Sequence, residues 1–272
     1  MKTLKTSLPI RASVAILALV SLAALLAPVL YAGDPFDMTA QPYLWPGQDW
    51  AHPLGSDLMG RDIAAGVFHG ARVSLLVGIS AACLTLLIGV SLGTVAGYFG
   101  GWIDNVLMRV TDFFQIVPRV LLVMVLVAIL QPTLWVVVLA LGATSWTHPA
   151  RVVRSQVLGL RNREYVQAGL AAGMSHTRII LRHILPNALT PILVSVSVVV
   201  AGCILAESWL AFLGLGDPNA ISWGAMIGTG REAMRTGWYM IAIPGVAVMV
   251  TVWSLNVLGD SLNQYFNPKL RD

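Results

Sequence analysis

Apolar runs long enough to cross a lipid bilayer dominate this 272-residue chain and exclude most soluble folds. Residues 12–33 carry no charged side chain over 22 positions, and residues 73–97 carry none over 25. A spanning helix needs about 20 such residues, because the hydrocarbon core is about 30 Å thick and a helix rises about 1.5 Å per residue. Only 11% of the chain is charged and 57% is hydrophobic, whereas a soluble domain is about 25% charged. Inside a bilayer every backbone amide must find a partner in the chain itself, and runs of this length do so as helices. The fold class read from the sequence is therefore all-α: a polytopic membrane protein.

The first run follows Lys2, Lys5 and Arg11, the pattern of a secretory signal. It exceeds the ~7–15-residue apolar core of such signals. Leu30, not a small residue, stands two before Ala32, so an uncleaved first span is expected within 1–33. Residues 34–72 form a polar segment with five aspartates and Pro35, Pro42, Pro46 and Pro53. Tyr43, Leu44, Trp45 and Trp50 give it apolar anchors that a solvated linker lacks. A structured external cap of turns and short helix is expected there.

The rest, 73–272, is expected to be the core, with spans near 73–97, 113–131, 133–149, 188–213 and 239–262. Residues 113–148 are nearly all apolar but are broken by Gln131-Pro132. Each half is close to the spanning minimum, so two crossings are expected. Basic residues accumulate on the cytoplasmic side of membrane proteins. With six spans and both termini inside, the inside segments 1–11, 98–119, 150–187 and 264–272 hold 13 of the 17 Lys and Arg, and the outside segments hold 4. A single crossing over 113–148 would put the six arginines of 150–187 outside. The net charge of +4 is thus read as a topology signal rather than a nucleic-acid footprint. Trp135, Trp146, Trp209 and Trp253 are expected as interface anchors, and Cys83 and Cys203 as small buried hydrophobes.

The stretch "RNREYVQAGLAAGMSHTRIILRHILPNAL" from Arg161 is unusual between apolar runs. Residues 161–172 read as a helix, Gly173 as a joint, Ser175 as the cap of a second helix over 177–184, and Pro186 and Pro191 as the entry to the next span. Ala168, Gly169, Ala171, Ala172 and Gly173 would let another backbone approach closely. From the residues alone, a basic helix on anionic lipid and a docking surface for a protein remain equal readings.

This stretch resembles the cytoplasmic loop of ABC importer permeases, whose pattern is E-A-A, three residues, G, nine residues, then I-x-L-P. Gln167-Ala168-Gly169 stands at E-A-A, Gly173 at the glycine, and Leu185 and Pro186 at the last two positions; Gln167 and His183 depart from the pattern. The outer "HPLGSDLMGRD", with Gly55, Asp57, Gly60, Arg61 and Asp62, resembles the dipeptide/oligopeptide/nickel permease family, in its second permease subunit type. So do "ESWLAFLGLGDPNAISWGAMI" and the end "GDSLNQYFNPKLRD", where Gln264 and Asn267 replace usual acids. The resemblance implies a permease subunit in a bacterial inner membrane that imports di- or oligopeptides, or alternatively nickel chelates or glutathione. It implies a homologous permease subunit, two ATPase subunits and an external solute-binding protein as partners, besides membrane lipid. It also implies that Glu164, Gln167, Ala168, Gly169, Gly173, Ser175, Leu185 and Pro186 belong to a loop coupled to the ATPase.

Catalysis by this chain is not expected. No H-E-x-x-H occurs, and His176 and His183 lack further metal ligands on their shared helix face. The only lysines are Lys2, Lys5 and Lys269, so no G-x-x-x-x-G-K-[ST] phosphate loop exists in this sequence. ATP and magnesium would bind a separate chain, and no cofactor is assigned to this one. Glu207 and Asn256 are candidates for the translocation path, because polar groups at membrane depth are costly. Asp260, which shares a helix face with Asn256, is read as interfacial. A secondary transporter or channel would need ionisable groups buried mid-span, and none lies clearly there.

Overall fold

In a computed structural model of the chain, residues 8–266 are described; Lys2, Lys5, Asn267 and Lys269 lie outside them. The described residues are helical apart from turns and one isolated antiparallel bridge between Ser56 and Asp62. In chain order the helices are α1 (Leu8–Leu30), α2 (Ile63–Phe99), α3 (Gly101–Ile116), α4 (Arg119–Leu130), α5 (Leu134–Ser145), α6 (Thr147–Arg161), α7 (Glu164–Ala171), α8 (His176–Ile179), α9 (Leu185–Phe212), α10 (Trp223–Gly230) and α11 (Tyr239–Phe266). A π turn, Ile180–Ile184, joins α8 to α9.

Four of these helices are long and apolar enough to cross a membrane: α1, α2, the 195–212 part of α9, and α11. A fifth crossing arises if α3 and α4 act as one broken span. The middle of the chain therefore departs from the sequence reading. Residues 113–131 are not one helix, since α3 and α4 meet at an 85° bend. Pro118 lies at that bend; proline disfavours helical geometry in the residue before it, and Val117 is extended (φ −74°, ψ 126°). α4 has 12 residues, about 18 Å of rise, too short to span alone.

The expected span 133–149 also breaks. α5 stops at Ser145 and α6 begins at Thr147. Pro149 has no N–H to donate to the Ser145 carbonyl four residues back, so the ladder fails there. α2 begins ten residues earlier than the expected span, at Ile63, so 63–72 is helix rather than cap. Asp62 starts it by accepting the Ala64 amide at 2.8 Å.

The chain divides into two compact units, whose boundaries fall inside α2, α4, α5, α9 and α11. One unit holds Met1–Ser80, Val127–Val138 and Ser197–Leu258; the other holds Ala81–Leu126, Leu139–Val196 and Gly259–Asp272. The first unit has a core of Ala24, Ala71, Trp223 and Val248 and a second one of Ile63, Ala233, Tyr239 and Met240. The other unit is centred on Tyr98, Val153, Val157, Val166, Ile179 and Ile184. Two single-residue expectations are corrected. Cys83 is exposed on α2 while Cys203 is buried, because Cys83 lies on the outward side of an apolar helix. Trp146 is buried, its ring 5.5 Å from that of Phe114, not at an interface.

Candidate functional site

Residues 161–186 form a helix pair with a defined inner face. The first helix is shorter than expected: Arg161 ends α6, and Arg163 is extended (ψ 145°), so α7 starts only at Glu164. α7 ends in a glycine cap. Gly173 has φ +77°, its N–H donates to the Leu170 carbonyl at 3.0 Å, and the Met174 N–H donates to the Gly169 carbonyl at 3.0 Å. These paired bonds close the helix end and need a left-handed residue, which glycine adopts without steric cost. A Cβ on Gly173 would meet nothing within 4 Å. Within this chain its backbone angle, not crowding, requires glycine. Ser175 occupies the cap position of α8, but its hydroxyl makes no capping bond. The site is exposed, so water can satisfy the amides that the side chain was expected to take.

Val166, Ile179 and Ile184 point inward, each at most 1% exposed, against Tyr98, Val153 and Val157. Three polar contacts reinforce the packing. The Tyr98 hydroxyl meets His176 Nδ1 at 2.7 Å, Arg161 Nη1 donates to the Tyr98 carbonyl at 3.0 Å, and Gln167 Nε2 donates to the Arg161 carbonyl at 3.1 Å. α6 is clamped to α3 by Arg154, which grips Asp104 with Nε and with Nη2 (2.6 Å), and by Arg151 on Asp112 (2.5 Å). The hydrogen bonds that Arg154 donates to the Asp104 carboxylate hold its guanidinium above its already high range. Glu164, Gln167, Ala168, Ala171, Ala172, Arg178 and Arg182 remain exposed on the outer face. Leu185 and Pro186 open α9.

The 52–62 motif is a folding element. Gly55 (φ +78°) and Gly60 (φ +84°) are left-handed, and a Cβ on Gly55 would lie 3.0 Å from Pro46 N. Asp57 Oδ1 accepts the amides of Met59 and Arg61 at 2.8 and 2.9 Å. The Ser56 hydroxyl accepts from the Leu44 amide and donates to the Gln41 carbonyl, and Tyr239 donates to the Ser56 carbonyl. Residues 34–62 contain turns but no helix, because their prolines and left-handed Tyr43 and glycines interrupt every helical register. Trp45 stacks 5.0 Å from Tyr239, while Trp50 is 98% exposed.

Glu207 and Asn256 are not tied to each other. Glu207 is 4% exposed on α9, where the Ser74 hydroxyl donates to it at 3.2 Å, with Ser208 and Ser222 also in reach of the carboxyl. Ser74 in turn accepts the Trp223 amide at 3.3 Å, and Ser222 caps α10 by accepting the Ala225 amide. The acid thus links α2 and α9 to the start of α10. Asn256 is half-buried on α11.

Two features escape the sequence reading. Gly89-Val90-Ser91-Leu92-Gly93 fits G-x-S-x-G, a hydrolase signature that needs a strand-to-helix turn. Here it lies inside the uninterrupted helix α2, where the exposed Ser91 donates to the Leu87 carbonyl at 2.7 Å, without the strand-to-helix turn that the signature requires. The signal in these residues is instead G-x-x-x-G repeated through Gly97, which lets helices approach closely in membranes. Cβ atoms on Gly89 and Gly97 would lie 3.0 Å from the Trp146 carbonyl and 2.8 Å from the Arg154 carbonyl. One on Gly93 would meet the Ala150 carbonyl. A second row, Gly66, Gly70, Ser74 and Gly78, repeats every four residues on α2.

Residues 89–272 match the family described as binding-protein-dependent transport system inner membrane component. The chain is 39% identical over 221 residues to the oligopeptide transport system permease protein OppC of Bacillus subtilis (strain 168), covering 81% of this chain and 72% of that protein. It is 41% identical over 222 residues to the dipeptide transport system permease protein DppC of the same organism, covering 81% and 69%. Its fold is similar to a chain of the inward-facing MetNI methionine ABC transporter, with a TM-score of 0.58, 15% identity, and coverage of 74% of this chain and 96% of that one.

Proposed function

Because the chain belongs to the family of binding-protein-dependent transport system inner membrane components, we propose that it is the membrane-spanning permease subunit of an ATP-driven importer of di- or oligopeptides. Such a subunit is an integral inner-membrane protein. The similarity to an oligopeptide and a dipeptide permease supports peptide cargo over nickel chelates or glutathione. Its partners are a homologous permease subunit, two ATPase subunits that bind ATP and magnesium, and an external solute-binding protein. Both termini and residues 150–187 are cytoplasmic, and 34–62 is external.

The observation that carries the coupling role is the two-faced helix pair. Its inner face is fixed to α2 and α6 by Val166, Ile179, Ile184 and the Tyr98–His176 contact. Its outer face offers Ala168, Ala171 and Ala172 among arginines. A partner that grips the outer face moves α6 and the end of α2 with it. The outer face of α7 carries Glu164, Gln167, Ala168 and Ala171 beside the exposed Tyr165, and so lacks the row of large aliphatic residues that a helix lying on lipid turns toward the membrane. ATP acts through its different affinity for two states of the ATPase, which is what shifts the permease between them. Cysteine placed at Ser175 tests the topology. Labelling by a membrane-impermeant thiol reagent only after cells are opened is expected, and prompt labelling of intact cells contradicts it.

A further inference from the structure

We propose that a cavity in the first unit, between residues 57–66 and 211–232, is a peptide subsite in which Arg61 and Arg231 receive the terminal carboxylate of a short peptide. The proposal rests on the peptide-import reading and names where this chain holds its cargo. The cavity measures about 530 Å³ and is lined by Arg61, Arg231 and four acids: Asp57, Asp62, Asp217 and Glu232. Small-molecule sites typically measure about 300–1,000 Å³.

The acids do not pair directly with the arginines. Asp57 holds the Met59 and Arg61 amides, Asp62 holds the Ala64 amide, and Asp217 holds those of Leu134 (3.0 Å) and Asn219 (2.9 Å). Among the described residues, neither arginine side chain takes part in an ion pair, and Arg61 Nε is buried with no hydrogen-bond partner. Each guanidinium instead lies over a ring. Arg61 Cζ is 5.0 Å from the centroid of Phe36, and Arg231 Cζ is 5.6 Å from that of Phe212.

A ring beneath a guanidinium steadies its plane and leaves the N–H donors on its edge unused. A carboxylate is the group whose two oxygens match that edge. The same cavity has apolar wall from Ile63, Leu213, Pro218 and Met226, suited to small side chains. Glu232, exposed beside Arg231, supplies the opposite charge for an ammonium group. Two arginines, one free acid and an apolar wall fit a zwitterion with a short apolar body. A bare cation would leave both arginines unpaired.

The test uses the assembled complex in lipid nanodiscs, without binding protein, titrated calorimetrically with trialanine and with trialanine amide. Trialanine is expected to bind, and the amide to bind at least about ten-fold more weakly, the loss expected for one charge-assisted pair. Arg231→Gln, at an exposed site that should not disturb folding, is expected to weaken trialanine about ten-fold and to leave the amide's affinity unchanged. Arg61→Gln should do the same, with thermal unfolding as its folding control. Equal affinity for acid and amide, no binding of either, or an unchanged Arg231→Gln overturns the subsite. Uptake by proteoliposomes containing the complete transporter and its binding protein separates the two readings. Absence of uptake for every di- and tripeptide sinks peptide import itself, whereas uptake of trialanine alongside a negative titration sinks the subsite alone.

Discussion

The two rows of small residues on α2 face different kinds of neighbour. Along Gly66, Gly70 and Gly78 the neighbours are side chains in large part: an added Cβ would lie 2.7 Å from Met226 Cε, 2.9 Å from Trp223 Cδ1, and against Ile204 Cγ1. Along Gly89, Gly93 and Gly97 the neighbours include the backbone carbonyls of Trp146, Ala150 and Arg154. A flexible side chain can rotate away from an intruding atom, but the backbone of a packed helix cannot. The second row is therefore a fixed seam between α2 and α6, while the first meets its neighbours chiefly through side chains, of which Met226 presents a flexible end to Gly66. An added side chain is thus expected to cost more along the seam than at Gly66, where the methionine end can give way.

The largest expected effect breaks the seam. Gly93→Val puts a branched side chain against the Ala150 carbonyl and Val153 Cβ. The cost should reach the upper end of the usual overpacking range, about 3 kcal/mol or more, with sharply reduced yield of monodisperse complex on size exclusion. A normal yield and melting temperature would show the seam to be as pliable as the other row. An intermediate effect is expected at Glu207. Glu207→Gln keeps the shape and an acceptor for Ser74, whereas Glu207→Leu strands the buried Ser74 hydroxyl, at about 1–3 kcal/mol. Thermal unfolding should rank parent and Gln together and Leu well below. Equal loss for Gln and Leu would mean that the charge itself, not the hydrogen bond, holds α10. The smallest effect is expected for Gly66→Ala, because the methionine end it meets can shift. A change below about 1 kcal/mol should be measured, within the range for tolerated core swaps. A loss as large as that of Gly93→Val would erase the distinction between the rows.

The candidate at 161–186 was readable in the sequence because its determinants are local. Gly173 at a fixed distance from small residues, and Pro186 at the entry to the next span, mark a helix end and a helix start without any knowledge of neighbours. Long apolar runs likewise place α1, α9 and α11. The bend at Pro118 was not readable, although Gln115 and Arg119 flank it, because proline is tolerated within membrane helices and only the extended Val117 reveals the turn. The start of α2 was hidden by His69 and Arg72, which make 63–72 look like polar loop. The role of Glu207 depends on Ser74, 133 residues away, a distance over which no pattern in a single sequence signals contact. The four-residue glycine spacing was present in plain view, but its partner, the α6 backbone, appears only in the fold.

The central claim is that residues 161–186 form a rigid handle whose shape depends on the left-handed Gly173. It is tested most directly by ATP-driven peptide uptake in proteoliposomes carrying parent, Gly173→Asn or Gly173→Val at equal protein. Asparagine tolerates positive φ, whereas a β-branched residue is strained there. Neither substitution meets another atom of this chain within 4 Å at Cβ, so insertion and assembly should be near normal. The account predicts that Gly173→Asn retains most of the uptake and Gly173→Val loses most of it. Uptake by Gly173→Val equal to that of the parent would contradict the account and return residues 161–186 to a basic segment resting on lipid.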